Sequence, residues 1–566
     1  MRYFYQNLEL ILKQTAFLIV VFFICWNGAA QNLYLKMMGQ TPDESHTIDS
    51  IGYPSKHADA KSVVTAANDL SQKLIKLGYL ESEIQNNQKT NDSTFVFQIA
   101  LGKRTNEIHI YIGNNLQLQF LRLFDGKKDT LIMPYREVEP FLNQTLSKIE
   151  TKGFALAKLK LIQIKKRNDF LEATLSIKLN DQRRLDDLVI SGYPKFPEGH
   201  KYNIKRLYKK KIFNQDNLKK LYTDFEKFRF IKQVKYPEIL FANDSTKVYV
   251  YLEKTNASSF DGFIGFSNND KQQLIFNGYV DLTLNNIVNT GETFTLYWKS
   301  DGNKQKTFNA AIALPYIFKT PFGLKAQLNI FKQDSTFQNT KTGIDLGYFF
   351  NYNSRLYLGY QATESSDIQN VNTTTISDFK NSFVTANFEF LDFKSDDYLF
   401  PENSKINLKV GVGSRNSKRN TNKQVFFSID LKHNIYLNDK NSFNIKSENY
   451  YLQSNQYIIN ELYRFGGINS IRGFNENSLQ ANFFSSVLTE YRYRLSPNVY
   501  VHSIIDYGYY QDKTSDSKGN LVGLGFGFGL LTKTGLFNII YANGSTKEQN
   551  VKLSNSIVHI SFKTNF

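Results

Sequence analysis

The sequence predicts α+β repeats followed by an all-β transmembrane barrel of 16 antiparallel strands. Three observations predict it. An eleven-residue apolar run near the start has the form of an export signal. Residues 31–256 mix helical and strand periodicity, whereas residues 257–566 read as strands and turns throughout. The C-terminal strands alternate apolar residues with polar or small ones, the dyad pattern of a barrel wall. Composition agrees: 47 Phe and 34 Tyr stand beside only 11 Pro, which suits long strands. With 41% hydrophobic and 21% charged residues, the chain is too apolar for disorder and too polar for a helical membrane bundle.

Residues 1–30 are read as a signal peptide. Arg2 and Lys13 flank a polar start, Ala16 to Trp26 is unbroken apolar sequence, and Asn27-Gly28-Ala29-Ala30 offers small residues for cleavage before Gln31. The run falls short of the roughly 20 residues a spanning helix needs. A lipid anchor on Cys25 is the alternative, disfavoured by the bulky Ile24 before it. Cys25 is the single cysteine, so the mature chain has no disulfide framework. After residue 31 no stretch approaches eighteen apolar residues, which leaves any crossing of the bilayer to strands.

Residues 31–256 repeat. Amphipathic stretches close on Gly78, Gly153 and Arg229, positions 75 and 76 residues apart. Their apolar stripes are Val64, Ala67, Leu70, Leu74 and Leu77; Val138, Phe141, Leu142, Leu146 and Ile149; and Leu218, Leu221 and Phe225. A strand pair follows each. The period predicts three copies of a strand–helix–helix–strand–strand unit, at 31–103, 104–184 and 185–256.

Residues 257–566 predict eleven strands up to residue 454, a long loop over 455–482, and five more strands to the C-terminus. Sixteen is even, as single-chain bacterial barrels require. In the last strand Val558, Ile560, Phe562, Thr564 and Phe566 share one face, and His559, Ser561, Lys563 and Asn565 the other. The fourteenth strand sets Val522, Leu524, Phe526, Phe528 and Leu530 against Gly523, Gly525, Gly527 and Gly529.

The loop contains Gly466-Gly467 and ends in Ile471-Arg472-Gly473-Phe474, between strands eleven and twelve. Ile505-Asp506-Tyr507-Gly508 lies downstream, as does Gly525-Phe526-Gly527-Phe528-Gly529 with Lys533-Thr534-Gly535. In these segments the chain resembles the outer-membrane assembly superfamily that includes BamA, TamA and the two-partner secretion pores. The resemblance implies that the three repeats are POTRA domains, and the count of three points toward TamA rather than BamA. It also implies a bacterial outer membrane location, with the repeats in the periplasm.

The residues supply a physical reason for the motif. Glu490, Arg492 and Arg494 share one face of strand twelve, which must be the lumen face, because a charge facing lipid at mid-depth costs about 2–4 kcal/mol. Asp506 falls on the lumen face of strand thirteen by the same parity. With the loop folded inward, Arg472 is expected to bridge Glu490 and Asp506, the guanidinium being permanently charged and two-pronged. The glycine face of strand fourteen is expected to let the loop backbone approach closely. Arg472 has two readings, a lock that stiffens a plug and a part of a working cycle.

A second candidate is the seam between first and last strands. Gly262 and Gly265 weaken the first strand, and Phe562 and Phe566 stand on the last. Sideways opening there would offer an edge to a client strand. A third feature is the basic run Lys201–Lys220, read either as a solvated helix face or as a surface for anionic headgroups or an acidic partner.

No enzyme is expected, since the seven histidines show no metal-ligand spacing and neither a nucleophile elbow nor a phosphate loop occurs. No cofactor and no nucleic-acid partner is expected either. The expected function is assembly or translocation, in which periplasmic repeats capture unfolded clients and the barrel inserts or passes them. The alternatives are a passive channel or surface receptor, and a secretion pore dedicated to one partner. Expected partners are unfolded outer-membrane or secreted proteins, outer-membrane lipid, and a periplasmic or inner-membrane accessory protein.

Overall fold

The computed structural model describes residues 32–113, 129–268, 274–301, 305–394, 397–547 and 556–565. The signal peptide, Cys25 and Phe566 lie outside the described residues. The chain divides into two compact units, Met1–Arg183 and Arg184–Phe566.

The first unit holds two α+β segments. In one, β1 (Leu33–Gly39), β2 (Lys56–His57), β3 (Glu83–Lys89) and β4 (Thr94–Ala100) form a sheet ordered β2-β1-β4-β3. Helices Pro42–Ile51 and Ala60–Lys76 cover it. Asp59 caps the second helix by accepting from the Ser62 amide at 2.7 Å. The buried stripe of this helix is Val63, Ala66, Ala67, Leu70 and Leu74. Val64 was expected on that stripe and is exposed instead; it lies one helical step, about 100°, off the face that Val63 begins. In the other segment β5 (Glu107–Tyr111), β6 (Thr130–Pro134), β7 (Lys158–Arg167) and β8 (Phe170–Lys178) pair in the order β6-β5-β8-β7, under helix Val138–Thr151. The first helix expected of this repeat would fall at 114–128, outside the described residues.

The second unit opens with β9 (Asp187–Ser191), helices Glu198–Tyr208 and Gln215–Glu226, β10 (Ile231–Phe241) and β11 (Thr246–Lys254), its sheet ordered β10-β11-β9. Leu218, Leu221 and Phe225 are buried on it.

The chain then closes a barrel of sixteen strands. These are β12 (Ser259–Asn268), β13 (Leu274–Asn285), β14 (Thr293–Asp301), β15 (Gln305–Leu314), β16 (Phe322–Gln333), β17 (Phe337–Phe349), β18 (Ser354–Asp367), β19 (Phe379–Phe393), β20 (Glu402–Ser417), β21 (Thr421–Tyr436) and β22 (Asn441–Ser454), then β25 (Phe483–Ser496), β26 (Val499–Asp512), β27 (Ser517–Leu531), β28 (Leu536–Thr546) and β29 (Ile557–Asn565). Each neighbouring pair is antiparallel, and the ring closes through a short ladder between β12 and β29; pairing between strands is what a bilayer demands of backbone groups. Outward faces carry exposed apolar side chains such as Leu358, Val384, Val412, Phe526 and Ile560, while Asp345, Gln361, Asn387 and Glu389 are buried inside. Among the described residues, no helix is long and apolar enough to cross a membrane.

Candidate functional site

The chain between β22 and β25 turns into the lumen and pairs with itself as a small hairpin, β23 (Tyr463–Phe465) and β24 (Leu479–Ala481). An apolar pad fixes it to the wall. Phe465 stacks on Phe484 of β25 with ring centroids 3.9 Å apart, and Ile471, Ala481, Leu488 and Leu521 are buried around them. Phe474 packs at the edge of the same cluster. Nearer the start of the loop, Glu461 meets Arg415 of β20 in an ion pair buried from water, and Arg464 lies over the rings of Phe331 and Phe337.

Arg472 sits at the bottom of this fold, its side chain 5% exposed beside a fully buried Asp506. The Asp506 carboxylate accepts from the Arg472 Nε at 2.8 Å, the Nη2 at 2.6 Å and the backbone amide at 3.0 Å. Nη1 pairs with Glu490, and Arg492 grips the other Glu490 oxygen, with Nε at 2.7 Å. The structure thus brings Arg472, Asp506 and Glu490 together, as the strand parity requires. In a water-poor interior such a guanidinium–dicarboxylate cluster holds only while every partner stays.

The glycines divide into groups. Gly473 has φ +86, and a Cβ on it would collide with the Gly544 backbone of β28. Gly466 and Gly467, at φ +102 and +103, fold the loop back onto Asn475 and Glu476. Of the fourteenth strand's four, only Gly523 receives the loop, its missing side chain leaving room for the Arg472 carbonyl. The expectation for the other three is corrected. Gly525 faces the Tyr541–Ala542 backbone of the next strand, while Gly527 and Gly529 make room for the His502 and Tyr500 rings of the preceding one. The glycine face serves rings from the wall more than it serves the loop.

At the seam, β12 and β29 pair through Ser259 with Asn565, Phe260 with Thr564 and Asp261 with Lys563, and among the described residues the ladder stops there. By contrast β19 and β20 pair along the whole length of β19. Gly262 and Gly265 lie just past the last seam pair, on a stretch of β12 that is bonded to β13 alone. Phe562 points outward, and its amide donates to Asp261 at 3.3 Å.

The third α+β segment caps the lumen end next to the seam strand's start. His200 is 1% exposed, and neither ring nitrogen has a hydrogen-bond partner. It packs among Phe196, Phe228 and Phe230 of its own segment and Tyr316 and Tyr352 of the barrel turns. Burial pushes its pKa from 6.5 down to about 3. Arg229 reaches over the Phe393 ring at 3.8 Å and lines a lumen cavity of about 530 Å³ with Lys325, Arg355 and Glu389. The basic run begins at the barrel turns, where the Asn203 side-chain amide donates to the Lys319 and Thr320 carbonyls at 3.1 Å, and continues to Lys210, whose backbone amide donates to the Leu185 carbonyl at 2.8 Å. Among the described residues no group of His, Cys, Asp and Glu could hold a metal.

Sequence reasoning missed Gly544, Glu476, the Arg415–Glu461 pair and His200. Each owes its role to a partner distant in sequence, and only the bulk-free Asn543-Gly544 step offered a local sign.

Residues 286–565 match the model of the Omp85 superfamily domain. Solved structures with a similar chain path include BamA from Haemophilus ducreyi lacking POTRA domains 1–3, at 14% identity and TM-score 0.47, covering 81% of this chain and 99% of that one. CdiB from Acinetobacter baumannii gives 12% identity and TM-score 0.49, covering 88% and 97%. CdiB from Escherichia coli gives 12% and 0.49, covering 94% and 99%. No curated protein matches the chain.

Proposed function

We propose, from the premise that this chain carries an Omp85 superfamily domain over residues 286–565, that it is a factor for inserting or passing client proteins at the bacterial outer membrane. The barrel lies in that membrane, with the N-terminal α+β segments on the periplasmic side. One observation carries the reading: a sixteen-strand barrel is plugged from within by a loop locked through Arg472, beside a seam whose ladder has three pairs among the described residues. A passive pore needs neither a short seam nor an internal lock. A client strand could enter where β12 leaves β29, satisfying backbone groups that lipid cannot. The periplasmic segments offer sheet edges, such as β3 and β7, to unfolded chains. The closeness to TamA rests on the count of three α+β segments alone.

A second reading, a channel, is favoured by the polar lumen cavity. Depleting the protein and quantifying the outer-membrane proteome separates the readings. Broad loss of other barrels is the expected result. Loss of one solute's uptake with an intact proteome overturns it in favour of a channel. Retention of one exported protein in the periplasm narrows it to a dedicated secretion pore.

A further inference from the structure

We infer that Glu476 is a positioning residue that straps the seam shut from inside, by anchoring the loop to the far side of the β12–β29 junction. The inference rests on the seam reading above and names what holds the seam.

The loop makes two attachments to the wall within four residues. At Gly473 it lies against Gly544 of β28, with Arg472 held by β25 and β26 just before it. At Glu476 it reaches β14: the Tyr297 hydroxyl donates to Oε1 at 2.9 Å, and Lys299 pairs with Oε2. The next residue continues the attachment, since the Asn477 carbonyl accepts from Gln305 of β15 at 3.4 Å. In the closed ring the short way from β28 to β14 passes β29, β12 and β13. The stretch Gly473–Glu476 therefore straddles the seam.

The surroundings agree. His559 projects inward from β29 within electrostatic reach of Arg472, Glu476 and Lys299, so the strand that would move lies under the strap. Its Nε2 is buried without a hydrogen-bond partner. Gly467 explains the second glycine of the loop motif: a Cβ there would sit 3.0–3.1 Å from the Cα, Cβ and Cγ of Glu476, crowding the stem that carries the carboxylate. The two attachments differ in kind. Asp506, which holds Arg472, is wholly buried, whereas the Glu476 and Lys299 side chains are 24% and 35% exposed. An ion pair that water can reach is the easier one to break and remake. Glu476 is thus the releasable end and Arg472 the fixed one.

The test uses the full-length protein in phosphatidylethanolamine–phosphatidylglycerol vesicles, with the Phe260→Cys/Thr564→Cys pair reporting the seam by its rate of oxidative cross-linking. Folded barrels are selected by their heat-modifiable mobility. Glu476→Gln and Lys299→Gln should each slow cross-linking several-fold, and the exchange Glu476→Lys/Lys299→Glu should restore the rate. A variant with residues 466–477 replaced by a short Gly-Ser linker is the reference for a strapless seam. If that variant slows cross-linking while the single variants do not, the strap is overturned and the seam stands. If single variants slow it but the exchange does not restore it, the ion pair is not the strap. If no variant changes the rate, the seam is rigid and both readings fall.

Discussion

At the residue scale, Arg472 is held by two buried carboxylates, Asp506 and Glu490. Removing it leaves Asp506 and Glu490 buried without their shared partner, and breaking a buried ion cluster from one side costs about 3–5 kcal/mol. Arg472→Ala should therefore free the loop while the barrel still inserts. The measurement is protease cleavage within 455–482 on folded barrels, together with client assembly; unchanged resistance and unchanged activity would leave Arg472 without a role. Arg472→Lys should recover only part of the effect, since an ammonium cannot engage Asp506 through two parallel bonds. The glycines give a sharper contrast. Gly473→Ala meets both a positive φ and the Gly544 backbone, and Gly523→Ala meets the Arg472 carbonyl, so both should loosen the loop. Gly529→Ala meets the Tyr500 ring of the wall rather than the loop, and should leave loop cleavage in folded barrels as in the unaltered protein.

At the element scale, the helix Glu198–Tyr208 is pinned to the barrel turns by a neutral imidazole. The His200 ring is charged when free below about 6.5 and neutral when docked down to about 3. Docking is thus favoured fully above pH 6.5, and its stability falls as the pH drops toward 3. Linkage puts the loss at roughly 3 kcal/mol by pH 4. Asp224 and Lys227 border the small cavity beside the ring and can screen part of this. Hydrogen exchange across residues 198–208, corrected for intrinsic rate, should lose protection between pH 7 and 4. His200→Phe suits the same aromatic cage and should remove that dependence; equal acid sensitivity in both proteins would place the cause elsewhere. His200 also shows where sequence reading stops. Its neighbours Phe196, Phe228 and Phe230 are near in sequence, but Tyr316, Tyr352 and Gly291 belong to barrel turns far downstream. The Arg472 site was readable because strand parity puts Glu490 and Asp506 inside, and the resemblance carried by Ile471-Arg472-Gly473-Phe474 pointed to the loop that reaches them. Barrel strands were readable for the same reason, each a period-two signal bounded by turn residues. The fourth barrel strand stops at Leu314, where Pro315 lacks the amide a ladder needs.

At the scale of the whole molecule, closure and opening compete at one place. Every neighbouring pair of strands except β12–β29 is joined by a turn or loop, so only there can the cylinder part without breaking the chain. Few ladder bonds hold that junction, and Gly262 and Gly265 follow where they end. Parting it in lipid strands backbone amides and carbonyls at several kcal/mol each, which keeps an empty barrel shut. On the proposed reading, an incoming strand would offset that cost bond for bond, and opening would be favourable only in the presence of a client. A disulfide between Phe260→Cys and Thr564→Cys should then abolish client insertion while leaving the loop, the lumen and the periplasmic segments unchanged. Reductant should restore it in the same sample. Insertion of a reporter barrel into proteoliposomes, followed by its heat-modifiable shift, gives the measurement. Full insertion with the seam bonded would show that clients pass through the lumen, and the 530 Å³ cavity beneath Arg229, rather than the junction, would be their path.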